Sequence, residues 1–327
     1  MPNQTLKTGM LGAGAIAGNH LEAIRAVDGI SACAVTDLDI GKAKAVADKY
    51  GIRAYDRFGP MLDAERPDIV TIALPHHLHK EAALQAVGYG CHLMLEKPMA
   101  LDVQECDEVM EAADKAGVRL LIGHTQQYMA HNLEAKRILQ SGELGEIVMI
   151  NDARHTDYFQ LRRPDWFLEK EKAGGGILFN LGAHAIDKIQ WLTDGSVRSV
   201  RASVSHHGPR GNVEGSGAVF LELDNGIPAT MVQSGYPGAA RNETEIVCTK
   251  GMLKLMTGYQ LLISRGGEYE EVEIAEQADP FVLQYLDLLQ AIREGREPGC
   301  SGAYGRHVIA SIEAVYRSAA TGKEQKV

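Results

Sequence analysis

From residue 6 to residue 123, short apolar runs alternate with stretches whose apolar residues recur at helical spacing. The runs at 6–11, 32–36, 68–74, 92–95 and 119–122 predict strands, and 77–87 and 103–116 predict helices between them. Strand, helix, strand in strict rotation is the pattern of a parallel sheet covered by helices on both faces.

After His124 the rhythm changes. A helix at 133–140 leads to a strand at 147–153, a polar loop and a second helix at 181–192. A series of β-rich segments follows, separated by Asp224-Asn225-Gly226, Lys250-Gly251 and Gly266-Gly267, the turn chemistry of antiparallel hairpins. Helices resume at 281–293 and 304–319. With no internal repeat, the expected organisation is two domains, 1–123 and 124–327, the first α/β and the second α+β on a mainly antiparallel sheet. A length of 327 residues is enough for two cores.

Composition narrows the function. The net charge of -10 argues against a nucleic-acid backbone as partner. Five cysteines without a C-x-x-C pair suggest neither a disulfide framework nor a zinc site. No apolar run is long enough for a signal peptide or a membrane span, so a cytoplasmic protein without membrane partners is expected.

The first strand runs into Gly12-Ala13-Gly14-Ala15-Ile16-Ala17, a G-x-G-x-x-A loop opening a helix. Small residues there permit a tight turn and close approach of a pyrophosphate, whose charge suits the helix N-terminus. Asp37 ends the second strand, where a carboxylate accepts hydrogen bonds from ribose hydroxyls. The first domain is therefore expected to be a Rossmann dinucleotide-binding domain, with Gly12, Gly14, Ala15, Ile16 and Asp37 as cofactor contacts. NAD is favoured over NADP, because Asp37 repels a 2'-phosphate and Leu38 supplies no positive charge.

Two other segments carry chemistry. Glu96-Lys97-Pro98 stands at the end of a predicted parallel strand, where ligands bind in doubly wound sheets. A glycine-rich stretch from Gly174 leads through Asn180 to Gly182-Ala183-His184 and then Asp187. With the glycine loop, Ala73-Leu74-Pro75 followed by His79, and Gly142-Glu143-Leu144-Gly145-Glu146-Ile147, these segments make the chain resemble the glucose-fructose oxidoreductase / inositol dehydrogenase / MocA (Gfo/Idh/MocA) family over nearly its whole length.

The resemblance implies a large open antiparallel sheet in the second domain and NAD(P)-dependent oxidation or reduction of a sugar, polyol or cyclitol carbon. It also implies that Lys97 polarises the reacting oxygen and that His184 is the general acid/base. Leu74, Pro75, His79, Glu96 and Lys97 join the cofactor contacts. The family usually has aspartate where Asn180 stands. Asn180 is otherwise expected to cap the helix carrying His184.

The chemistry agrees with these roles, since oxidising an alcohol needs a hydride acceptor and a group that removes the hydroxyl proton. His76, His77 and His79 lack a carboxylate or cysteine at ligand spacing, so no metal is expected. The loop from Arg154 to Trp166 is expected to meet substrate through Arg154, His155, Arg163 and Trp166, with Tyr128 beside them. A homodimer or homotetramer paired through the C-terminal sheet is expected, because few helices are available to cover its second face. Two other functions stay open at this stage: a redox-silent NAD-binding regulator, and a glycoside hydrolase or lyase that uses NAD transiently.

Overall fold

In the computed structural model, which describes residues 5–327, the chain forms two compact units. Among the described residues, one unit comprises 5–125 with Ala278–Arg306, the other Gln126–Gln277 with His307–Val327.

The first unit contains β1 (Leu6–Leu11), α1 (Ala17–Ala26), β2 (Ile30–Thr36), α2 (Ile40–Tyr50), β3 (Arg53–Tyr55), α3 (Phe58–Glu65), β4 (Ile69–Ile72), α4 (His79–Gly88), β5 (His92–Leu95), α5 (Val103–Ala116) and β6 (Leu120–Ile122). All six strands are parallel, in the order β3-β2-β1-β4-β5-β6. The order reverses between β1 and β4, so the loops leaving their carboxyl ends open a crevice. Met10, Leu11, Val35, Val70, Ile72 and Leu93 are buried, which explains why these strands read as continuous apolar runs rather than alternating ones.

The pair β3 and α3 was not expected from the pattern. Three edge-strand residues are too few to show a period, and Phe58-Gly59-Pro60 reads as a turn. Pro60 is accommodated because it lies in the first turn of α3, where a backbone N–H has no helical partner.

The second unit carries α6 (Ala130–Ser141), β7 (Ile147–His155), α7 (Lys170–Ala173), α8 (Ala183–Thr193), β8 (Val197–Ser205), β9 (Ser216–Leu223), β10 (Pro228–Ser234), β11 (Arg241–Cys248), β12 (Gly251–Met256), β13 (Gln260–Ser264) and β14 (Glu270–Glu271). The chain ends with α9 (Pro280–Glu294), α10 (Gly302–Thr321) and β15 (Gln325–Lys326). Nine strands form one sheet in the order β14-β13-β12-β11-β7-β10-β9-β8-β15, antiparallel except where β10 runs parallel to β7. The three expected hairpin turns connect β9 to β10, β11 to β12 and β13 to β14.

The expected single division between 123 and 124 does not include the return of Ala278–Arg306 to the first unit. There α9 packs against α1, burying Tyr285, Leu288 and Leu289. Helical periodicity identifies such an apolar face without telling which sheet or helix receives it.

Candidate active site

In the first unit the glycine loop is set by two different constraints. Gly12 has φ +100, and a Cβ there would lie 2.3 Å from the Ala73 carbonyl oxygen, so the fold itself demands glycine. A Cβ on Gly14 would meet nothing within 4 Å, so no neighbouring protein atom demands glycine at that exposed position. The N-terminus of α1 behind it has no side-chain cap. These features fit a dinucleotide: a small residue on an open surface permits close approach of a pyrophosphate to uncapped amides.

Asp37 is placed at the rim of this loop. Its Oδ2 accepts from the Ala13 amide at 3.0 Å and its Oδ1 from the Asp39 amide at 2.9 Å. The carboxylate is thus held in a fixed orientation, while Leu38 beside it is 86% exposed. Ala15 and Ile16 complete the turn into α1.

Leu74 and Pro75 follow β4, and Glu96, Lys97 and Pro98 follow β5. One side chain joins the two loops: His79 is fully buried, with Nε2 2.9 Å from the Leu74 carbonyl oxygen and Nδ1 2.9 Å from that of Pro98. Burial lowers its pKa, although both carbonyl contacts oppose the shift. Its ring nitrogens face backbone carbonyl oxygens of the two loops, so its hydrogen bonds shape the expected cofactor contacts Leu74, Pro75 and Lys97 from behind. The Lys97–Pro98 peptide bond is cis. Among the described residues, no group of three or more His, Cys, Asp or Glu side chains is arranged to hold a metal.

In the second unit a π turn at Leu178–Gly182 leads directly into α8, where His184 is half-buried. Asn180 lies inside the π turn and does not cap α8. Its Nδ2 donates to the Tyr158 hydroxyl at 3.3 Å, and the residue at the N-terminal boundary of α8 is Gly182, without a side-chain cap. The capping expected of Asn180 is supplied from elsewhere by Glu214, whose buried carboxylate accepts from the Gly176 amide at 2.7 Å, the Leu178 amide at 2.9 Å and the Tyr316 hydroxyl at 2.9 Å. A Cβ on Gly176 would lie 2.1 Å from the Glu214 carbonyl oxygen, so close packing accounts for that glycine.

Tyr158 is fully buried, and burial raises its pKa to about 12 despite the opposing hydrogen bond from Asn180. The Arg163 guanidinium lies 3.9 Å from the centre of its ring, and Arg163 Nε donates to the Tyr158 carbonyl. Trp166 stacks on Phe167 at 3.7 Å. Arg210 braces the loop by donating to the Gln160 and Arg163 carbonyls and to Asp165. Neither Glu214 nor Arg210 stands in a motif, so sequence reading missed both.

Arg154 and His155 end β7 and line a cavity of about 280 Å³ with Asn242, Thr257 and Tyr259. Burial lowers the pKa of Arg154, and Asp152 opposes that shift. Tyr128 ends a short 3-10 turn before α6. One turn beyond His184, Lys188 makes a buried ion pair with Asp152 at 2.9 Å. Asp187 accepts from Gln127 at 3.1 Å.

Residues 6–124 match the model of an oxidoreductase family with an NAD-binding Rossmann fold, and residues 132–254 match the GFO/IDH/MocA C-terminal domain. Inositol 2-dehydrogenase of Salmonella typhimurium is 25% identical, aligning 99% of this chain with 97% of its own length. D-glucoside 3-dehydrogenase of Escherichia coli is 32% identical over 62% of this chain and 58% of its own. The crystal structure of aldose-aldose oxidoreductase from Caulobacter crescentus, complexed with glycerol, superposes with a TM-score of 0.91 at 28% identity, covering 99% of this chain and all of that one. The glycine loop, the Asp37 rim and the two matched domains together make this chain an NAD-binding member of the GFO/IDH/MocA oxidoreductase family.

Proposed function

We propose that the chain is an NAD-dependent dehydrogenase or reductase acting on a CH–OH carbon of a sugar, polyol or cyclitol. The observation that carries this reading is the joining of the β4 and β5 end loops by His79, which fixes the Lys97 turn to the Leu74-Pro75 turn of the nucleotide crevice. The names of the similar proteins, inositol and glucoside dehydrogenases and an aldose oxidoreductase, support the substrate class.

Gly12, Gly14, Ala15 and Ile16 hold the pyrophosphate and Asp37 the ribose hydroxyls. The bound nicotinamide supplies the hydride acceptor or donor. Lys97 donates a hydrogen bond to the reacting oxygen and offsets the negative charge that develops there. His184 takes the hydroxyl proton during oxidation and returns it during reduction, a task suited to a group titrating near neutrality. Asn180 orients substrate or ring without adding the negative charge that an aspartate would. Arg154, His155, Arg163, Trp166 and Tyr128 surround the substrate.

Self-association through the large sheet completes the reading. Its outer face shows Phe220 at 44% and Val232 at 41% exposed, beside Met149 on β7. Among the described residues no helix is long and apolar enough to cross a membrane.

The test is a panel of sugars, cyclitols and uronates with NAD, run with the parent and with Lys97→Ala and His184→Ala. The reading expects a member of the panel to reduce NAD, and both variants to lose turnover while NAD still binds. Near-normal turnover by His184→Ala on the true substrate would move the base elsewhere.

A further inference from the structure

Behind the Glu96-Lys97-Pro98 turn lies a buried hydrogen-bond chain that the roles above do not use. It links four elements of the first unit. Thr71 Oγ1 on β4 is 2.7 Å from the Tyr285 hydroxyl on α9. That hydroxyl is 3.0 Å from His20 Nδ1 on α1, and His20 Nε2 is 3.0 Å from Glu96 Oε1. Glu96 Oε2 accepts from the Lys97 amide at 3.2 Å. Thr71 and His20 are fully buried and Tyr285 almost so, while the Glu96 side chain is 13% exposed. Phe281 and Tyr285 both meet the His20 ring edge-on, with centroids 5.0 Å and 5.8 Å away.

The direction of each bond follows from the acceptor at the end. An ionised carboxylate only accepts, so His20 Nε2 carries a proton and donates to Glu96. Nδ1 then accepts from Tyr285, and the Tyr285 oxygen accepts from Thr71. Every polar atom in the chain is satisfied with a single charge, on Glu96. The reversed direction would require a proton on Nδ1 as well, and so a second charge in the same buried space.

Burial pushes Tyr285 far above the usual phenol range, so its hydroxyl keeps its proton. Burial alone would raise Glu96, but the His20 hydrogen bond and the nearby Lys97 ammonium hold it below the ordinary value. The titratable groups facing Glu96 are His20 from α1, Lys97 from its own loop, His79 from α4 and Tyr285 from α9.

We propose that His20 and Tyr285 are positioning residues for Lys97: the chain anchored at Thr71 keeps Glu96 ionised and in one orientation, and Glu96 in turn fixes the Lys97 backbone and favours its side chain as ammonium. The proposal rests on the assignment of Lys97 to the reacting oxygen. Its consequence has a definite sign. Without the chain, the Glu96 carboxylate loses its donor and its fixed orientation, Lys97 loses a negative charge held close beside it, and its ammonium gives up a proton at lower pH.

The test uses three variants and one measurement on the parent. Tyr285→Phe removes only the bridging hydroxyl, His20→Leu removes the donor to Glu96, and His20→Gln keeps an N–H near the position of Nε2. The basic limb of the kcat profile should move down by about one pH unit or more in His20→Leu, and in the same direction but by less in Tyr285→Phe, which leaves the Nε2 donor in place without its anchor; NAD affinity should be little changed, and His20→Gln should recover most of the shift. Profiles that coincide with the parent's would overturn the proposal. Nitrogen NMR of labelled histidine in the intact protein should show His20 as the Nε2–H tautomer at neutral pH, and an Nδ1–H or doubly protonated ring would overturn it even if a variant failed to fold. Normal turnover by Lys97→Ala would refute the assignment beneath the proposal. Loss of turnover there, with unchanged profiles in Tyr285→Phe and His20→Leu, would refute the proposal alone.

Discussion

Replacing Lys188 by methionine should destabilise the second unit more than almost any other single change of similar size. Lys188 and Asp152 are 3% and 2% exposed, 2.9 Å apart, and pin α8 to β7. Lys188 Nζ also donates to Thr257 Oγ1 at 3.0 Å, and Thr244 Oγ1 donates to Asp152 Oδ2 at 2.7 Å. Methionine fills much of the lysine volume but leaves Asp152 buried with the Thr244 hydroxyl as its remaining bond from this cluster. Removing one partner of such a pair costs about 3–5 kcal/mol. At ~2–4 °C per kcal/mol for a domain of this size, Tm should fall by ~6–20 °C. Replacing both partners, Lys188→Met with Asp152→Val, removes the stranded charge, so the two changes together should cost less than their sum by about 2 kcal/mol. Thermal and urea unfolding of the parent, both single variants and the double variant measure that coupling directly. A Lys188→Met variant within about 1 kcal/mol of the parent, or a double variant with no coupling, would refute the reasoning. Because His184 lies one helical turn before Lys188, kcat/KM should fall with stability even when the fold survives.

Asp37→Ala should narrow the preference for NAD over NADP, measured by calorimetry, and tighter NADP binding by the parent would contradict the placement of the carboxylate. Acid stability should reflect Glu96: its lowered pKa contributes stability that is present above the ordinary carboxylate range and lost as pH falls through its own value. Glu96→Gln should therefore unfold with a shallower pH dependence in acid. Asn180→Asp should raise the acidic limb of the pH-rate profile, since an added negative charge stabilises an imidazolium at His184. An unchanged limb would separate the two residues electrostatically. Light scattering at micromolar concentration should find a dimer or tetramer, and a monomer would leave the exposed Phe220 and Val232 without the partner proposed for them.

Local chemistry made the nucleotide half legible: a glycine loop, a strand-end carboxylate and a helix start lie close together in the chain, and the backbone geometry at Gly12 and the Asp37 hydrogen bonds follow from that order. What escaped the sequence depends on distant partners. His20 and Tyr285 are 265 residues apart, and no period or motif joins them. Asn180 had the right residue type for a helix cap, but the backbone entered α8 through a π turn and Glu214 took the amides. The glycines before it gave no sign of what stands against them, whereas Gly175 and Gly176 are required by the approach of Tyr316 and Glu214. His79 was close enough in sequence to the β4 loop to be noticed, yet its full burial between two carbonyl oxygens appears only once β5 is laid beside β4.

The central claim is net hydride transfer that depends on Lys97. Its most direct test is a single-turnover reaction of the parent protein with NAD and a substrate from the panel carrying deuterium on the reacting carbon, followed by mass measurement of the nucleotide. The account predicts one deuterium in the reduced nicotinamide for the parent and none above background for Lys97→Ala at the same NAD occupancy. Deuterium released to water without net reduced nucleotide, or equal transfer by both proteins, would contradict it.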